Sequence, residues 1–140
     1  SNSIKMSGVN SINWARIIAQ AVYYFYTYFL INPNNQKVNF SVPTGNFGDV
    51  YAGYLAKKMG LPINKLIVAT NQNDILHRAI SKGSYEAQEV TETNSPSMDI
   101  QIASNFERLI YDINESNDLL TNNIMKGIKE TGKYHIATKE

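Results

Sequence analysis

Apolar residues recur along this chain at two spacings, helical stripes and short unbroken runs, and each predicts its own kind of element. The longest stripe comes first. Ile12, Ala15, Ile18, Ala19, Val22, Phe25 and Phe29 fall on one broad side, with Trp14, Ile17, Ala21, Tyr24 and Tyr28 beside it. This predicts a helix over about residues 12–30, capped by Asn10 or Ser11. A helix apolar almost all round is buried or covered by a partner. Residues 1–10 are polar and read as loop or a short strand. Asn32-Pro33-Asn34-Asn35 predicts a turn, because proline disfavours helix at the residue before it.

Lys37 to Val42 and Lys65 to Thr70 are the short runs, and both read as strands. The second is continuous enough to suit a parallel strand buried on both faces. A helix between them should end at Met59, with Gly60 closing it and Pro62 just beyond. Strand, helix, strand makes one βαβ unit. Asp74 to Ser81 predicts a short helix that Gly83 ends, and residues 84–98 are polar and irregular. Helical spacing resumes at Asp99 with Ile100, Ile102, Ala103, Phe106, Leu109, Ile110 and Ile113, and Ser97 or Asp99 can cap that helix. A further helix spans Asn117 to Thr131 on a stripe of Leu119, Leu120, Ile124, Met125 and Ile128, stopped by Gly132. Tyr134 to Thr138 could begin another strand. The order predicts an α/β fold, a partial parallel sheet flanked by helices, forming a single domain over residues 1–140.

Composition narrows the function. Hydrophobic residues make up 43% of the 140, enough for a chain that folds around a core. The formal net charge is +1 and the basic residues are scattered, which argues against a nucleic-acid binder. With no cysteine there is no disulfide, thiolate metal site or cysteine nucleophile, which fits a cytoplasmic protein. The stretch from Ile12 to Ile31 is the one candidate membrane span, and it holds Arg16 and Gln20. The arginine alone would cost about 2.5–3.5 kcal/mol at a bilayer centre, so no membrane association is expected. The chain opens Ser1-Asn2-Ser3 without methionine, and Ala137 to Glu140 fall in mid-pattern. It is expected to be a piece cut from something longer, with Ser1-Asn2 either native or a cloning scar.

The sharpest chemical signal is Thr44 to Asp49, where the first strand meets a helix through a glycine-punctuated turn. Gly45 and Gly48 allow positive φ and close backbone approach. A helix start leaves N–H groups unpaired, with the positive end of the helix dipole behind them. The N–H groups of Gly45, Asn46, Phe47, Gly48 and Asp49 could converge on one phosphate, with Thr44 a weaker candidate. Asn46 and Asp49 stand three apart, as in a capping box, so a capped helix with no ligand stays open. The segment is neither G-x-G-x-x-G nor a P-loop. The Asp49 carboxylate would repel a phosphate, so its side chain is expected to turn away and bond locally. His77 and His135 lack ligand-like neighbours and read as surface or capping residues. Asp99, Glu107 and Asp112 read as a solvated helix face and cap. The aromatic cluster from Tyr23 to Phe29 reads as core, or as an interface to a missing domain, which in a cut chain would favour self-association.

Several peptides carry a resemblance. Asn10-Ser-Ile-Asn13 with Arg16 and Tyr23-Tyr-Phe25, then Ser41-Val-Pro-Thr-Gly-Asn-Phe-Gly-Asp49 with Ala52-Gly53, are similar to threonine synthases. So are Ala69-Thr-Asn71 with Asn73-Asp74, Ser95-Pro-Ser-Met-Asp-Ile100 and Ser104-Asn-Phe-Glu-Arg108. The resemblance runs in the family's order over residues 10–108. It implies a tryptophan-synthase-like domain (pyridoxal-phosphate fold type II), and a lyase of threonine biosynthesis. That lyase converts O-phospho-L-homoserine and water to L-threonine and phosphate with pyridoxal 5'-phosphate. It further implies that Gly45, Asn46, Phe47, Gly48 and Asp49 hold the cofactor phosphate, and that Asn10, Ser11 and Asn13 reach the cofactor or substrate side of the cleft. The family's Schiff-base lysine lies in a Ser-Phe-Lys-Asp-type motif that this sequence lacks, and Lys57 and Lys58 read as a solvated helix face. The piece is therefore expected to be inactive alone. The alternative is a non-catalytic domain that binds a phosphorylated metabolite through the same loop.

Overall fold

The computed structural model describes residue 8 and residues 10–31 and 34–135. Its frame is the βαβ unit that the sequence predicts. Strand β1 (Val38–Pro43) runs parallel to β2 (Ile63–Ala69), joined through helix α2 (Gly48–Lys58). The register pairs Asn39 with Lys65 and Pro43 with Ala69, after an irregularity between Val38 and Asn39. Thr44 extends the ladder by one bond, its N–H donating to the Ala69 carbonyl at 2.8 Å. Helix α2 is stopped where expected, since Gly60 takes a φ of 103° just past the C-cap Met59.

Helix α1 (Trp14–Ile31) lies against α2. Its buried residues are Ile17, Ala21, Tyr24 and Tyr28, one stripe of a helix apolar nearly all round. Ile18, Val22, Tyr26, Phe29 and Leu30 on the other sides are each more than half exposed. The cap is Asn13 instead of Asn10 or Ser11. Its Oδ1 accepts from the Ala15 N–H at 2.9 Å, while Asn10 Oδ1 serves a turn one step earlier, accepting from the Ile12 N–H at 3.2 Å.

The sheet is less covered than its sequence suggests. Val38, Phe40 and Val42 face the helices, and Asn39, Ser41 and Pro43 face outward. In β2, Lys65 and Ile67 are exposed, so the expectation of burial on both faces fails. The described residues supply helices to one face only.

Helix α3 (Ile75–Lys82) ends at Gly83 with φ 67°, and β3 (Ser84–Glu86) follows. β3 pairs antiparallel with β4 (Lys133–His135), a small sheet apart from the first. The strand expected over 134–138 is thus present at its start, and residues 136–140 lie outside the described ones. Helix α4 covers only Phe106–Ile113, not the stretch from Asp99. Side-chain hydrogen bonds hold residues 99–105 in an irregular path, competing with the helix. Helix α5 (Asp118–Thr131) begins at Asn117, whose Oδ1 accepts from the Leu120 N–H at 3.0 Å, and closes at Gly132.

The α1–α2 contact depends on a glycine. A Cβ on Gly53 would sit 2.7 Å from the Tyr24 ring and 2.9 Å from Leu66 Cδ2. The ring cannot yield easily. Its hydroxyl donates to the Asp49 carbonyl at 2.8 Å, and its edge meets Phe40 with centroids 4.9 Å apart. Gly53→Ala should therefore destabilise the fold by about 1–3 kcal/mol despite alanine's better helix propensity. A urea melt showing equal or greater stability would contradict this packing.

Candidate functional site

The loop between β1 and α2 combines unusual backbone with unspent donors. Phe47 sits at φ 64°, ψ 3°, the left-handed region that non-glycine residues rarely occupy. The first helical bond of α2 runs from the Tyr51 N–H to the Phe47 carbonyl at 3.0 Å. The N–H groups of Gly45, Asn46, Phe47, Gly48, Asp49 and Val50 have no acceptor among the described residues. Phe47 adds no side-chain cap, and its buried ring packs edge-on against Phe106 at 5.1 Å. The capping-box alternative for Asn46 and Asp49 is not formed, since α2 carries no side-chain cap bond.

A hollow of about 150 Å³ opens beside this loop, lined by Gly45, Asn46, Phe47, Gly48 and Asp49 with Thr44 and Pro43. The sequence therefore brings all five predicted residues to one concavity. Thr44 is spent locally, its hydroxyl donating to the Val42 carbonyl at 2.6 Å. Across the hollow lie Ser11, Arg16, Gln20 and Ser97. Of Asn10, Ser11 and Asn13, only Ser11 lines it, the two asparagines being used in the turn and cap. Arg16 brings a positive charge. Gln20 Oε1 is buried with no partner, so that side of the hollow holds an unspent amide. Its assignment as oxygen is interchangeable with Nε2 by a half-turn of the amide.

The roof is equally close. A Cβ on Gly45 would lie 2.6 Å from the Ser97 carbonyl oxygen, so only glycine fits there. Ser97 sits in a 3-10 turn, Pro96–Met98, fixed by its neighbour Asp99. The Asp99 carboxylate accepts from Asn71 Nδ2 at 2.7 Å, Asn73 Nδ2 at 3.1 Å, Thr93 Oγ1 at 2.7 Å and Thr93 N–H at 2.8 Å. Partial burial raises its pKa, but these donors outweigh that and hold the carboxyl below its ordinary value. The expectation of Asp99 as a helix cap is thus corrected, because its lone pairs are taken by the loop. Asp112 is corrected too. It accepts from the Tyr51 hydroxyl at 3.1 Å and pairs with Lys58 at 3.5 Å, instead of lying free on a solvated face. Burial, then the Asp112 bond, pushes the Tyr51 phenol up to about 12. Glu107, Lys57 and Lys58 are exposed, as expected.

Asp49 is half-buried. Burial raises its carboxyl above the ordinary value, while the Tyr24 hydroxyl lowers it. A larger cleft of about 690 Å³ lies between the start of α1 and helices α2, α4 and α5, and none of the predicted site residues lines it. Among the described residues no cluster of three metal-type ligands occurs, and no helix is long and apolar enough to cross a membrane.

The sequence singles out the loop but gives no role at this site to Arg16, Gln20, Ser97 or Asn105, and Ser97 is expected to cap a helix that instead begins after Asn105. Arg16, Ser97 and Asn105 sit inside the resembling peptides. Gln20 lies outside them.

A strand feeding an anion-type loop at a helix start, beside a parallel partner strand, defines the ligand-binding edge of an α/β protein. No family model matches the chain. It is 50% identical over 132 residues to a threonine synthase of Pseudomonas aeruginosa, covering 94% of this chain and 28% of that protein. A threonine synthase of Saccharomyces cerevisiae is 50% identical over 143 aligned positions, with the same coverage. A crystal structure of a PLP-bound threonine synthase from Brucella melitensis superposes with a TM-score of 0.91 at 53% identity, covering 95% of this chain and 29% of that one. The chain belongs to the threonine synthases, and it spans under a third of the length of these relatives.

The Asp99 network carries a pH signature. A carboxyl with a lowered folded pKa contributes stability above about pH 4, lost as pH falls through the folded value. Asp99→Asn should lower the melting temperature at neutral pH and flatten the acid limb of its pH profile. An unchanged acid limb would mean the network is not held by the charge.

Proposed function

We propose that this chain supplies the cofactor-phosphate loop of a threonine synthase that converts O-phospho-L-homoserine and water to L-threonine and phosphate, as part of that enzyme's pyridoxal-phosphate region. The observation that carries it is the row of N–H groups from Gly45 to Asp49 without an acceptor among the described residues, at the start of α2, on residues that line one hollow with Arg16. The volume, about 150 Å³, has room for a phosphate group. The residues present fit the group. Gly45, Asn46, Phe47, Gly48 and Asp49 would hold the phosphate through backbone donors, and Asn46 could add its amide. The Ser97 backbone closes against Gly45 on one side, and Arg16 supplies countercharge.

Bound pyridoxal phosphate would supply an electron sink for a carbanion. This chain's part is to bind and orient. Among the described residues no lysine lines the hollow, and Lys57 and Lys58 are committed elsewhere, Lys57 Nζ donating to the Asn64 carbonyl at 3.0 Å. A residue that both attaches the cofactor and moves protons is needed for chemistry, so the 140 residues alone are inactive. Their outer α1 face, rich in exposed aromatic and aliphatic side chains, favours self-association at high concentration.

Titrating the isotope-labelled chain with pyridoxal phosphate should shift and protect the amides of residues 45–50, with no borohydride-stable adduct at any single lysine. Silent loop amides at millimolar ligand would refute the loop assignment. A stoichiometric adduct at one lysine would refute the inactivity. Sedimentation of the same chain should show a concentration-dependent rise in mass, and a clean monomer throughout would rule out the α1 contact.

A further inference from the structure

Asn105 is fully buried, yet it is polar and lies just before α4. Both amide donors and one acceptor position of its oxygen are used. Nδ2 donates to the Ser11 carbonyl at 2.8 Å and to the Asn46 carbonyl at 3.2 Å. Oδ1 accepts from Arg108 Nε at 3.1 Å. The orientation of this amide is forced. Arginine has donors only, so Oδ1 must face it, and Nδ2 must then face the two carbonyls. Arg108 is itself held, its Nη2 donating to the Ile12 carbonyl at 2.7 Å and its guanidinium lying 5.1 Å from the Trp14 ring centroid.

The Asn46 carbonyl also accepts from the Asn105 backbone N–H at 3.1 Å. Both of its lone pairs are therefore directed at one residue. In a planar trans peptide the carbonyl and the following N–H point opposite ways. Anchoring the Asn46 carbonyl to Asn105 thus turns the Phe47 N–H away from α4. The next residue in the clamp, Phe106, holds the Phe47 ring. A non-glycine residue persists in the left-handed region only when its surroundings over-determine it, and residues 105 and 106 do so for Phe47.

We propose that Asn105 is a positioning residue for the anion loop. Its amide holds the Asn46 carbonyl, and so aims the N–H groups of Phe47 to Asp49 at a phosphate. It acts through the loop and touches no ligand. The inference rests on the phosphate-loop reading above.

The test uses the full-length protein and two ligands, pyridoxal phosphate and pyridoxal, which differ only by the phosphate. Asn105→Asp keeps the size and the acceptor for Arg108 but loses the donor to both carbonyls. It should weaken pyridoxal phosphate roughly 10–100-fold, as loss of a buried donor partner does, and leave pyridoxal unchanged. Ile110→Ala, buried one turn further along the same helix, is the stability control and should keep the phosphate advantage. Asn105→Asp that retains the advantage, or Ile110→Ala that loses it equally, overturns the proposal. A second measurement needs no variant. Inorganic phosphate added to the wild-type protein should move the Asn105 side-chain amide resonances together with the backbone amides of residues 45–49. If the loop amides move and Asn105 stays still, this proposal alone fails. If no loop amide moves, the phosphate-loop reading fails and takes this one with it.

Discussion

One carbonyl oxygen, that of Asn46, is where three distant parts of the chain are tied together. It receives two hydrogen bonds from Asn105, and the same Asn105 amide reaches back to Ser11. The ties span 59 and 94 positions of sequence. Each closes a long loop at an entropic cost that grows only slowly with length, so a few well-made buried bonds suffice. With this knot in place the α1 start, the β1–α2 loop and the α4 start share one rigid corner. The hollow lies at that corner, with Gly45 pressed under Ser97 on one side and Gln20 and Arg16 on the other.

How much of this was legible depends on how local the cause is. The βαβ unit could be read because its signals are short-range. Two apolar runs flank a glycine turn, and Gly60 and Gly83 both take the positive φ their helix ends need. Helix α5 was legible through Asn117 and Gly132. The stretch from Asp99 was not, although Ile100, Ile102 and Phe106 keep helical spacing. There the carboxylate of Asp99 and the amides of Asn71 and Asn73, more than 20 positions apart, settle the path. Periodicity carries no information about such partners. The site divides the same way. The five loop residues are contiguous and declare themselves, while Arg16, Gln20, Ser97 and Asn105 arrive through tertiary contacts.

The surface left open is also informative. Helix α1 buries one stripe and exposes Tyr26, Phe29 and Leu30 to about two thirds, and the two-stranded sheet is helix-covered on one face. Parallel strands normally have both faces covered. A chain spanning under a third of its relatives' length offers a simple reason, since the sequence of α1 and β2 encodes burial on more sides than these residues provide.

The proposed function separates binding from catalysis. Backbone donors at a helix start grip a phosphate equally in the ground state and the transition state, because the phosphate is remote from any reacting bond. Uniform binding lowers the concentration needed but does not speed the chemical step. Rate enhancement needs a group whose interaction changes as the reaction proceeds, above all one that carries a proton between atoms. The hollow contains Arg16 and Asp49, whose carboxyl burial raises above its ordinary value. On the function proposed above, the Gly45–Asp49 loop is an anchor for the phosphate, and the proton carrier has to be a group other than those lining the hollow.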